Sequence, residues 1–157
     1  MVELVKAVKP QLMERLVQLE AEAFGAGGLN DWHLVPLIRH GRVYILRNNS
    51  QVIGLVEYML DWNNASTAYM VGVSIAKESR GQGCGATLLQ GSFNALFAEQ
   101  INEVELTVDK KNTAAVKLYE KKFGFAVTAF RFDEYGAGED RLVMKVQLAS
   151  IVKPPLL

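Results

Sequence analysis

Apolar residues first recur at helical spacing at Leu12, Leu16, Leu19 and Phe24, behind a short apolar start and Pro10, which suits the first turn of a helix. Glycines over 25–28 break that helix. Asn30 or Asp31 then caps a second one through Leu34, Leu37 and Ile38, kept short or bent by Pro36. The period changes at residue 43. Residues 43–46 read as a strand, Asn48-Asn49-Ser50 as a hairpin turn and 51–60 as the partner strand. A polar turn over 62–66 leads into 69–75, which is apolar on both faces, as in the middle of a covered sheet. A helix is expected from about Gly85, with Leu89, Phe93, Leu96 and Phe97 on one side. A strand follows over Glu103–Val108, a helix over 113–122, and two strands around Tyr135-Gly136-Ala137-Gly138. The tail at Pro154-Pro155 is expected to be loose. This order predicts one α/β (α+β) domain over residues 1–148, a mixed, mostly antiparallel sheet with helices on both faces, followed by a tail over 149–157.

Composition narrows the function. The chain has 157 residues, enough for one domain with a real core, and half of them are hydrophobic. Seventeen basic and seventeen acidic residues cancel, which argues against nonspecific nucleic-acid binding. No apolar run is long enough for a bilayer, and the N-terminus does not read as a signal peptide, so no membrane partner and a cytoplasmic location are expected. Compactness suggests a bacterial source. One cysteine excludes an internal disulfide, and Cys84, His33 and His40 do not make a metal cluster, so no metal is expected.

The strongest chemical signal is Arg80-Gly81-Gln82-Gly83-Cys84-Gly85-Ala86, between a buried strand and an amphipathic helix. Glycines let the backbone approach a phosphate, and successive free N–H groups form an anion nest. The helix that begins there adds its positive end, and Arg80 a full charge. The Gly-Lys-Ser/Thr ending of a P-loop is absent, and so is the Gly-x-Gly-x-x-Gly spacing of a dinucleotide loop, since Gly85 rather than residue 86 follows Gly83.

At these residues the chain resembles the GNAT superfamily of acyl-CoA-dependent N-acetyltransferases, whose loop reads Arg/Gln-x-x-Gly-x-Gly/Ala; Arg80, Gly83 and Gly85 fill it in order. A second motif also matches, Asn112-x-x-Ala115-x-x-Leu118-Tyr119-Glu120-Lys121 followed by Gly124-Phe125. The resemblance runs from Val5 to Leu148 and implies a sheet of six to seven strands. It implies that residues 80–86 hold the pyrophosphate of acetyl-CoA, and that the main chain of Val73 and Ile75 pairs with pantetheine, with Val71 near the acetyl group. Asn112 would reach the pantetheine, cap the next helix, or do both. Tyr119, two helical turns on, would protonate the leaving thiolate; the bland alternative is a core aromatic beside Phe123 and Phe125.

The base departs from the family pattern. Tyr69 and Thr107 stand at the positions where relatives place a glutamate. Glu57 is the substitute candidate, because strand alternation sets it on a face with Ile53, Leu55 and Met59, where burial would raise its pKa; a structurally paired or edge-exposed glutamate is the alternative. Glu105, sharing a face with Thr107, is weaker. Cys84 lacks an activating base and fits as a small loop residue. Trp32 and His33 lie where the family builds its acceptor site, with ordinary packing as the alternative.

Arg131, Tyr135 and residues 138–144 are similar to the end of ribosomal-protein alanine N-acetyltransferases, a likeness weakened by Glu134 and Thr107. Glu134 suits a cationic small amine. The expected acceptor is a small-molecule amine. The alternatives are a protein α-amine or lysine, or a sensor that binds acyl-CoA without turnover, and a homodimer is possible in this family.

Overall fold

The computed structural model describes residues 1–152. The tail expected around Pro154-Pro155 lies outside them. Seven strands form one sheet: β1 (Val2–Leu4), β2 (Arg42–Asn48), β3 (Gln51–Asp61), β4 (Asn64–Ile75), β5 (Glu103–Val108), β6 (Ala126–Arg131) and β7 (Arg141–Gln147), in the order β1-β2-β3-β4-β5-β7-β6. The helices are α1 (Pro10–Phe24), α2 (Asp31–His40), α3 (Cys84–Ala98) and α4 (Thr113–Lys117), the last continuing into a π-helical turn over Leu118–Lys122. The mixed sheet is the expected one. β4 and β5 run parallel through Thr67–Tyr69 and Glu103–Glu105, while β5 and β6 both pair antiparallel with β7. No helix among the described residues is long and apolar enough to cross a membrane.

The chain divides into two compact units, Met1–Met59 with Val71–Ser92, and Leu60–Met70 with Phe93 onward. In the first, α1 starts with Pro10 at its first position and buries Met13, Leu16, Leu19 and Glu20. That stripe differs from the expected one at its end: Phe24 is 47% exposed, and Glu20 takes the buried place. Asn30 caps α2, its side chain accepting from Trp32 N, and His33 Nδ1 accepts from Asn30 N at 3.3 Å. Pro36 sits inside a helix of ten residues, as its position predicts. The short apolar start is an edge strand, with Val2 opposite Leu46 and Leu4 opposite Tyr44. Three residues are too few for periodicity to declare a strand.

β3 shows why alternation matters. Leu55 and Glu57 point to one face, while Tyr58, on the other, shares a hydrogen bond with Ser92 of α3 at 2.8 Å. Glycine at 54 allows close approach on that second face, where a Cβ would lie 2.6 Å from Ile75 Cδ1 and 3.3 Å from Leu88. The hairpin turn before β4 is shorter than the polar run suggested. β4 begins at Asn64, because Asn64 Oδ1 accepts from both the amide and hydroxyl of Ser66 and steadies the strand start.

The second unit is cored by aromatic rings. Phe93 meets Phe123 edge-on at 5.3 Å and Phe125 at 6.0 Å, and Val104, Leu106 and Met144 are buried with them. A turn over Leu148–Ser150 closes the described chain, with Leu148 N donating to Asn102 O at 2.7 Å.

Candidate active site

The glycine-rich loop is a shaped backbone cradle. Gly81 and Gly83 have φ of +71° and +78°, conformations that cost a side-chain-bearing residue, and nothing lies within 4 Å of a Cβ built on either. Among the described residues no acceptor takes the amides of Gly81, Gln82 or Gly83. The 15-residue α3 starts at Cys84, and Thr87 turns its amide and hydroxyl back to Gly83 O. Free amides, an open surface and a helix N-terminus together fit a phosphate. Arg80 anchors the loop rather than waving free: Nε donates to Ile75 O at 2.9 Å and Nη2 to Glu22 O at 3.4 Å, with no carboxylate against its charge among the described residues. Gln82 Nε2 holds Glu78 O. Gly85 and Ala86 sit in the first turn of α3, where a Cβ on Gly85 would just touch Ile75. Cys84 is half-buried, and both histidines lie on α2, where His33 serves the cap; no activating base is assigned to the thiol.

Strand β4 follows the loop's geometry upstream. Val71, Val73 and Ile75 are half-buried and share one face; Gly72 and Ser74 face the other way, towards α1. There Glu57 is completely buried, which removes the edge-exposed alternative, whereas Met59, expected beside it, is 45% exposed. Neither carboxyl oxygen of Glu57 meets a donor among the described residues. A Cβ on Gly72 would stand 3.2 Å from Glu57 Oε2 and 3.7 Å from the Phe24 ring. Gly72 is part-exposed, but the space beside it is tight and both Glu57 oxygens are sealed from solvent. Desolvation, then the charge and hydrogen bonding of Glu20, hold the Glu57 carboxyl well above the ordinary range. Glu20 was not singled out from sequence. Its signal was there: it lies four residues after Leu16 on the buried stripe of α1.

In the second unit Asn112 caps α4, its Oδ1 accepting from Ala115 N at 3.2 Å. The capping role is therefore present, and among the described residues the amide nitrogen meets no acceptor. Tyr119 does not sit two regular turns further on. The helix widens to π geometry from Leu118, where Phe125 N donates to Tyr119 O and Gly124 turns at φ +75°, so the 3.6-residue reckoning of a shared face fails. Such π turns are frequent at functional sites. Tyr119 is 6% exposed and packs on Phe125 at 5.6 Å, as the core alternative required, with burial pushing its hydroxyl up to about 12. That hydroxyl is not among the sealed, unpartnered oxygens.

The two positions lacking a family glutamate meet each other: Tyr69 Oη and Thr107 Oγ1 lie 3.0 Å apart. Desolvation first, with Tyr135 opposing Thr107 and Arg131, pushes Tyr69 up to about 12. Glu105 is occupied by Lys145 at 3.3 Å and Arg131 at 3.5 Å, which removes it as a base. Glu134 is also met by Arg131 at 3.4 Å, a guanidinium that it shares with Glu105. Trp32 is 84% exposed at the start of α2. A groove of about 970 Å³ runs along β1 and α1; in it Arg47 pairs with Glu3 and Arg15 with Glu22 and Glu78, while Lys6 and Lys9 meet no carboxylate among the described residues.

Known proteins agree with this geometry. The family model described as acetyltransferase (GNAT) family matches residues 10–125. An uncharacterised N-acetyltransferase of Methanocaldococcus jannaschii is 25% identical over 151 residues, 92% of this chain and 91% of that protein. An N-alpha-acetyltransferase of Sulfurisphaera tokodaii is 28% identical over 115 residues, 67% of this chain and 68% of that one. The solved structure of Arabidopsis thaliana Naa50 with the bisubstrate analogue CoA-Ac-MVNAL shares the fold at a TM-score of 0.75 and 23% identity, over 93% of this chain and 98% of that one. With the family model covering well over half its length, the chain belongs to the GNAT family and is an N-acetyltransferase.

Proposed function

We propose that residues 1–148 form one acetyltransferase domain that moves the acetyl group of acetyl-CoA directly onto a primary amine, with a small-molecule amine as acceptor. The loop carries this reading: two glycines at positive φ and three unengaged amides open a long helix, an arrangement suited to a pyrophosphate. Residues 80–86 would hold that group, the main chain of Val73 and Ile75 the pantetheine, and the spare amide of Asn112 the same arm.

In the transfer, the amine nitrogen attacks the thioester carbon, the C–N bond forms and the C–S bond breaks. The proton leaving nitrogen goes to Glu57, a buried carboxyl whose Oε2 lies beside Gly72. The sulfur leaves as thiolate and accepts a hydrogen bond from Tyr119. A thiol has a pKa near ~8.5, so full transfer from a phenol at about 12 runs uphill; Tyr119 steadies the departing charge, and the thiolate takes its final proton from water.

A peptide α-amine is the second reading, favoured by the likeness to the Sulfurisphaera tokodaii N-alpha-acetyltransferase and by the peptide-bearing analogue bound to Naa50. The pairing of Glu134 with Arg131 weakens the earlier charge argument for a cationic small amine, so the small-amine reading rests on the departures at Glu134 and Thr107 from the alanine N-acetyltransferase pattern. The test is free-thiol release from acetyl-CoA with two acceptor panels, small primary amines and short peptides with free N-termini. Turnover of small amines alone supports the first reading, and turnover of peptides alone replaces it with the second. Tight acetyl-CoA binding with no turnover on either panel makes the chain a sensor.

A further inference from the structure

Two hydroxyls meet where two parallel strands part. β4 and β5 pair through Thr67, Ala68 and Tyr69 opposite Glu103, Val104 and Glu105, and the ladder stops there although β5 runs on to Val108. At that fork Tyr69 Oη and Thr107 Oγ1 lie 3.0 Å apart. The carboxyl ends of parallel strands are where open α/β sheets take their ligands.

Alternation decides which way the pair faces. Val104, Leu106 and Val108 are buried, so Glu103, Glu105 and Thr107 project from the opposite face of β5, each half-buried, as Tyr69 is on β4. The carboxylates of that face already meet cations: Glu103 and Glu105 share Lys145, and Glu105 and Glu134 share Arg131. The hydroxyls are different. Each can donate and accept, and one bond between them uses a single proton and a single lone pair, so the pair has capacity left. Tyr135, on the loop between β6 and β7, also bears on Tyr69. Desolvation keeps the Tyr69 phenol protonated up to about 12, so near neutrality it binds rather than ionises. Downstream on the same strand stand Val73 and Ile75, the pantetheine residues of the proposed reading. In chain order the loop at 80–86 follows them, so an arm running from loop to strand leads back along β4 towards Tyr69.

We propose that Tyr69 and Thr107 seat the primary amine of the acceptor: the phenol donates to Thr107 Oγ1, and its oxygen accepts an N–H of the amine, leaving the nitrogen lone pair free to attack. This rests on the acetyl-transfer reading and names the group that holds the nucleophile, for a small amine and a peptide α-amine alike. Tyr69 touches the acceptor. Thr107 acts through Tyr69 and is a positioning residue.

The experiment has a binding arm and a kinetic arm. In the first, the full chain saturated with CoA carries isotope labels on the hydroxyl-bearing ring carbon of tyrosine. It is titrated by NMR with n-butylamine and, separately, with the free peptide Met-Val-Asn-Ala-Leu. At about pH 9 part of each amine is neutral and Tyr69 keeps its proton. The resonance missing from Tyr69→Phe should shift to saturation, and no shift with either probe overturns the seat. A saturable shift without thiol release from acetyl-CoA upholds the seat and sinks the transfer reading instead. In the kinetic arm, Tyr69→Phe should raise KM for the amine about tenfold, roughly one hydrogen bond, with acetyl-CoA affinity unchanged. Thr107→Val should raise KM in the same direction and Thr107→Ser restore it, and the variant carrying both Tyr69→Phe and Thr107→Val should be no worse than Tyr69→Phe alone. An unchanged KM, or a rise matched by lost acetyl-CoA affinity, makes the pair a structural cross-strand bond and overturns the proposal. If Tyr69→Phe does not fold, Thr107→Val and Thr107→Ser decide, and equal KM values for the two overturn it.

Discussion

A glutamate that finds no donor in a sealed site is costly, and Glu57 is one: its raised pKa means that folding favours the protonated carboxyl. The sign follows directly. Its contribution is fully present below the unfolded value of 4.5 and is lost as pH rises through the folded one, so at higher pH the ionised group weakens the fold. Glu57→Gln keeps the shape without the charge. We expect it to raise Tm, increasingly so as pH rises, while lowering kcat by roughly 10²-fold or more, which thermal melts at several pH values and thiol-release rates will check. Lower activity together with lower stability at every pH would mean that the carboxyl is a structural bond rather than a strained functional group. Gly72→Ala probes the same place from outside. Its Cβ at 3.2 Å from Glu57 Oε2 is a tight but tolerable contact, so the variant should fold with an unchanged acetyl-CoA affinity and a raised KM for the amine.

At the scale of elements, the loop is where local geometry and ligand binding meet. Gly83→Ala forces a side chain into φ +78°, at about 1–2 kcal/mol, and puts a methyl group on the surface offered to phosphate. Acetyl-CoA affinity should fall roughly tenfold, as each ~1.4 kcal/mol requires, and calorimetry reads it directly. The loop and Asn112 were legible because backbone chemistry dictates their composition: glycine for positive φ, and asparagine for a cap. The strands of the hairpins were legible from period-two alternation, which also put Glu57 on the apolar face. What escaped was either too short or tertiary. β1 has three residues, and its partner lies more than forty positions away. The π turn at Tyr119 depends on Phe125 and Gly124 folding back, which no period in 113–122 reveals. Tyr69 and Thr107 are brought together by parallel pairing of β4 and β5, and Glu20 gains its meaning from Ser74, fifty-four residues on.

For the molecule as a whole, the buried acids set the direction in which stability runs with pH. Tyr69 and Tyr119 are both held protonated up to about 12 by desolvation, against an ordinary 10.0. A raised phenol contributes fully below the unfolded value and loses that contribution as pH climbs to the folded one, so the window is pH 10 to 12. For the nearly buried Tyr119 two pH units correspond to about 2–3 kcal/mol by the top of that window; Tyr69, half-exposed, contributes less. Denaturant unfolding between pH 8 and 11.5 should therefore show a plateau, then a decline from about pH 10, and Tyr119→Phe should flatten the decline. The same variant lowers kcat by roughly 10²-fold while acetyl-CoA still binds, if the hydroxyl supports the departing sulfur. The two effects are separable because one is read on the fold at high pH and the other on turnover near neutrality. A flattened alkaline decline with undiminished kcat would leave Tyr119 as a core aromatic and move the search for the hydrogen-bond donor to the sulfur elsewhere.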